Sequence, residues 1–129
     1  MNGVTESEAK AALEAIASMM DRTRRAETKF AQGTSQHTLQ RNRLQALHIA
    51  AALLEKSLGT GAAVDVYAQE DLQKALAPIT SLISKSEKAQ AKLTQGTWQH
   101  RMLDNNLKAL RLALPLLEAA LDGGTPEAG

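Results

Sequence analysis

The chain has 129 residues, enough for one domain with a modest core. It is 43% hydrophobic but only 2% aromatic, a balance that suits helices packed through Ala and Leu and argues against a sheet. A formal net charge of +1 leaves no global field to draw nucleic acid or an anionic membrane, and the absence of cysteine removes disulfides, thiolate metal sites and cysteine catalysis.

The opening residues Met1 to Glu6 carry no basic region followed by an apolar run, so no secretory signal is expected there. Apolar stretches such as 49–54 are too short to span a bilayer. The expectation is a cytoplasmic protein with no membrane segment.

In chain order, the first predicted helix covers about 5–32, with Leu13, Ile16, Met20, Thr23 and Phe30 along one face. The segment Gln32-Gly33-Thr34-Ser35-Gln36-His37 reads as a stop and restart. Glycine tolerates the left-handed conformation that ends many helices, and Thr34 can cap the next one. A second helix over about 35–58 places Gln40, Leu44, Leu47, Ala51, Leu54 and Leu58 on one stripe. Residues 59–68 form the only substantial linker.

The third predicted helix covers about 68–95, with Leu72, Leu76, Ile79, Ile83, Ser86 and Leu93 as its stripe. Then Gln95-Gly96-Thr97-Trp98-Gln99-His100 repeats the turn signature. The fourth helix, about 98–121, spaces Leu103, Leu107, Leu110, Leu114, Leu117 and Leu121 at helical intervals. Residues 122–129 read as a flexible tail.

Sliding the chain by 63 residues aligns 6–61 with 69–124 without a gap, and 21 of the 56 pairs are identical. That is well above the roughly 5–10% expected by chance, and it marks an internal duplication. The expected fold is therefore all-α: one domain over 1–129, an up-down-up-down four-helix bundle of two tandem duplicated helical hairpins. This topology puts both turns at one end. Pro78 and Pro115 stand opposite each other if the second hairpin pairs symmetrically, so both helices could bend at one level. Alternatively, helix 3 starts near Pro78.

His37 and His100 are the sharpest candidates for chemistry, because one further step along each stripe lands on them. Gln36, Gln99, Asn42, Asn105, Glu27 and Gln90 could join them in a polar cluster, and two imidazoles with a carboxylate can hold a transition metal. The spacing lacks Glu-x-x-His or His-x-x-x-His, however, and Glu27 becomes Gln90 in the second copy. A capping or hydrogen-bonding role therefore fits these histidines better than ligation, and no cofactor is expected.

Buried Asn42 and Asn105 would fix helix register. Gln32, Gln36, Gln95 and Gln99, with Gly33, Thr34, Gly96 and Thr97, fit turn closure and solvation. Trp98 replaces Ser35 at the second turn, where packing on Met102 is favoured over a partner surface. Arg22, Arg24, Arg25, Lys29, Arg41 and Arg43 make the first hairpin basic near its turn, which reads as a solvated face. Lys85, Lys88, Lys92 and Arg101 follow in the second copy, mixed with Glu87 and Asp104.

No phosphate loop, nucleophile elbow or carboxylate pair is present, so catalysis is not expected. The functional expectation is a non-enzymatic module for protein–protein interaction or homodimerisation. A small-ligand or metal site between the two turns is the alternative. Nucleic-acid binding by the Arg-rich hairpin is weaker still.

Overall fold

The computed structural model describes residues 5–59 and 67–123. Four α-helices account for most of them: α1 (Glu6–Glu27), α2 (Ser35–Ser57), α3 (Gln69–Ala91) and α4 (Trp98–Gly123). Among the described residues no strand occurs. The centre of the linker, 60–66, and the tail from 124 on lie outside them. Asp122 and Gly123, read from the sequence as tail, close α4.

Each helix begins where a side chain satisfies otherwise orphaned backbone amides. Thr5 and Glu8 exchange two hydrogen bonds of 3.0 Å at the head of α1, a capping box. Thr34 accepts from the His37 amide at 3.1 Å and Thr97 from the His100 amide at 3.2 Å. At the head of α3 the Asp71 carboxylate accepts from the Ala68 amide at 3.3 Å.

The core is aliphatic. Ile16, Leu47, Leu54, Ile79, Leu110 and Leu117 are fully buried, and Ala12, Ala46, Ala50, Ala75, Ala109 and Ala113 let the helices approach closely between them. Helices consecutive in the chain pack on each other, α1 also packs on α4, and α2 meets α4 across the middle. Two contacts orient α4. The Arg22 guanidinium near the end of α1 reaches the Met102 sulfur near the start of α4 at 3.0 Å. At the other end, the Gln69 amide donates to the Ala120 carbonyl at 3.4 Å.

Two expectations change. Helix α3 runs from Gln69 through Pro78, so it does not start at the proline. Buried Leu72 and Ala75 anchor the turns before it, which offsets the roughly 3 kcal/mol a helical proline costs. Pro115 likewise lies inside α4.

Helices α1 and α3 also stop at Glu27 and Ala91, earlier than the apolar stripes suggest. Beyond Thr23 the first stripe offers only Phe30, which stays in solvent. The chain there tightens instead, Lys29 bonding to the Ala26 carbonyl at 3.1 Å and Leu93 to the Gln90 carbonyl at 3.0 Å.

Candidate functional site

The two signature turns have the same construction. Thr34 Oγ1 donates to the Ala31 carbonyl at 2.8 Å while accepting from the His37 amide. Thr97 does the same with the Thr94 carbonyl, at 2.8 Å, and the His100 amide. Each threonine thus ties the turn before it to the helix after it. Gly33 and Gly96 both sit at φ +88°, immediately before the capping threonine. They re-aim the chain into the next helix and do not terminate the previous one, which has ended at Glu27, six residues before Gly33, and at Ala91, five before Gly96.

The histidines diverge from there. His37 is buried, and its Nε2 lies 3.3 Å from the Glu27 carboxylate within its own hairpin. Arg41 stands 4.0 Å from the same carboxylate. In the second hairpin Gln90 takes the place of Glu27 and Asp104 that of Arg41. The Gln90 amide donates to the His100 carbonyl at 3.3 Å and to Asp104 at 3.4 Å, with no imidazole in the bridge. Among the described residues, no group of three or more His, Cys, Asp and Glu is placed to hold a metal.

Of the expected polar cluster, Glu27 meets the His37 imidazole and Gln90 meets the His100 carbonyl, each within its own hairpin. Gln36, Gln99, Asn42 and Asn105 are exposed, as are Gln32 and Gln95, and no hydrogen bond joins them to either histidine. Asn42 and Asn105 are therefore not buried register pins. Trp98 is 66% exposed, so packing on Met102 leaves most of its ring in water, and the Met102 sulfur instead faces Arg22. Arg43, expected on a solvated face, is half-buried.

Sequence reasoning missed the place where the four helices come together near the turns. A cleft of about 310 Å³ is lined by Met19, Arg22, Thr23 and Ala26 of α1, Gln40 and Arg43 of α2, Leu82 and Ser86 of α3, and Leu103 and Asn106 of α4. Eight of these ten form four pairs 63 residues apart: 19 with 82, 23 with 86, 40 with 103, and 43 with 106.

Gln40 is only 8% exposed and Asn106 5%, and the buried Oε1 of Gln40 accepts no hydrogen bond. Burial pushes the Arg43 guanidinium down from its ordinary pKa. No carboxylate lines the cleft. A polar residue standing in the leucine stripe at position 40 was the available signal.

Two outer grooves flank this cleft. That between α1 and α4, about 750 Å³, is lined in part by Ala12, Ala15, Ser18, Asn105 and Ala109. That between α2 and α3, about 540 Å³, is lined by their partners at a spacing of 63: Ala75, Pro78, Ser81, Asn42 and Ala46. Asn42 and Asn105, 63 residues apart, thus stand on the rims of two matching grooves.

At the surface near the turns, exposed apolar and basic groups coincide. Phe30 is 37% exposed and Leu39 41%, and with Trp98 they are the exposed large hydrophobic residues among those described. The four helix segments and two turns over 22–43 and 85–106 hold ten Lys and Arg against three Asp and Glu. The rest of the described chain holds five against nine. The near-zero total hides an uneven distribution of charge along the chain.

No protein family, curated protein or solved structure matches the chain. Among the described residues, no helix is long and apolar enough to cross a membrane. The reading of function therefore rests on this geometry.

Proposed function

We propose that the chain is a non-enzymatic helical-bundle module that docks onto a protein partner through the end carrying its two turns. The carrying observation is that Phe30, Leu39 and Trp98 are all exposed there, within a strongly basic surround. Exposed large apolar groups in one place mark interaction surfaces, and Trp is prominent among binding hot spots. The partner that fits is acidic at its rim and offers an apolar patch or pocket to the tryptophan.

The architecture behind this reading is an up-down-up-down bundle of two duplicated hairpins. Supporting it are the 21 identical pairs, the matched groove linings and the contacts of Arg22 with Met102 and Gln69 with Ala120. A duplication of this kind carries one turn per hairpin to a common surface, and substitutions such as Ser35 to Trp98 then make the two halves different.

Photo-crosslinking in extracts of the source cells tests the proposal. A crosslinker at position 39 should capture a protein in a salt-sensitive way that Trp98→Ser abolishes, while one at exposed Glu118 should not. Equal capture from both positions would overturn the reading. So would loss of the crosslinked species on nuclease treatment, which would favour nucleic acid.

A further inference from the structure

The cleft between the four helices has features that packing alone leaves unexplained. Gln40 is more than nine-tenths buried and lacks a donor for its Oε1, an arrangement that costs free energy if nothing enters. Asn106 is buried as deeply, and its side chain makes no intramolecular hydrogen bond among the described residues.

Beside them the half-buried Arg43 guanidinium has no carboxylate. The acids near this end are engaged elsewhere: Asp21 with Arg25, Glu27 with His37 and Arg41, Glu87 with Arg111, and Asp104 with Lys108. Arg22 adds a second positive charge to the wall, and Ser86 adds a hydroxyl. Two arginines, two primary amides and a serine line a space of about 310 Å³ whose other lining residues are Met, Leu, Ala and Thr. That volume falls at the smaller end of ligand sites.

We propose that this cleft binds a small organic hydroxy acid. The carboxylate meets the planar fork of Arg43, which is suited to bidentate recognition, in a setting where partial desolvation strengthens the pairing. The ligand hydroxyl accepts from the Asn106 amide and, once the Gln40 side chain turns its buried Oε1 to the cleft, donates to that oxygen. The unsatisfied Gln40 oxygen and the Asn106 amide are thereby engaged by one molecule. The second hairpin shows why one ligand suffices: at the positions equivalent to Gln40 and Arg43 it carries Leu103 and Asn106, so only one half supplies the charge. Trp98 does not line this cleft, so Trp98→Ser should leave it intact.

Titration of the ¹⁵N-labelled protein with glycolate, acetate and inorganic phosphate provides the test. Glycolate should bind saturably at one site and move the side-chain amide resonances of Gln40 and Asn106, with acetate weaker. Arg43→Asn, which installs the residue found at the equivalent position 106, should weaken glycolate binding about tenfold or more. Gln40→Leu should erase the preference for glycolate over acetate.

The side-chain amide signals of the unmodified protein give a readout that no variant's folding can confuse. Non-saturable shifts, unmoved Gln40 and Asn106 amides, or equal affinity in a folded Arg43→Asn protein would each overturn the proposal. Phosphate binding as tightly as glycolate would also overturn it, because it would reflect general attraction to the basic end.

Discussion

Gln40 in the first hairpin and Leu103 in the second line the same cleft, although one carries an amide and the other an aliphatic chain. The amide oxygen is buried without a donor, so Gln40→Leu should stabilise the unliganded protein by about 1 kcal/mol, seen as a higher midpoint in urea. His48 offers a second prediction. Its pKa is lowered by burial and, to a lesser degree, by the nearby Arg24. The unfolded chain then takes up a proton at His48 before the native one does. This contribution to stability is complete above the unfolded value of about 6.5 and is lost as pH falls from there through the lower native value. Urea midpoints compared above and below that window should therefore fall less in His48→Gln than in the parent protein.

The residue scale also shows where recurrence at a spacing of 63 misleads. Asn105, which recurs as Asn42, is exposed, whereas its neighbour Asn106, which does not recur, is buried. Position 106 shares the inward face with Leu103 and Leu110, so helical phase was the better guide there.

At the scale of the element, helix existence was plain from the spacing of leucines and alanines, and the starts were plain from Thr34 and Thr97. The ends were not. Phe30 and Leu93 prolong the stripes in the sequence, but neither continues a helix in the structure. A stripe records which residues are apolar, and it does not say whether a partner helix is still alongside to receive them.

The capping threonines carry a prediction at this scale. Each makes two hydrogen bonds, so Thr34→Ala and Thr97→Ala should each cost about 1 kcal/mol. The double variant should be close to additive, since the caps serve different hairpins. Chemical denaturation of the three variants measures both points.

At the scale of the molecule, the four-helix class was legible because nearly all the apolar content falls at helical intervals. The cleft was not, because it is built from four segments far apart in the chain, with a half-buried arginine among its lining residues. Charge behaved in the same way. Summed over 129 residues it is +1, and only folding, on the proposed up-down topology, sorts it into a basic end and an acidic remainder.

That sorting reaches beyond recognition of any partner. A molecule with this distribution behaves as a macroscopic dipole and presents itself to a charged matrix by one end. At neutral pH and low salt it should be retained on a sulfonated resin more strongly than a protein of the same net charge with mixed surface charge. Under the same conditions, the opposite pole should give it measurable affinity for a quaternary amine resin as well.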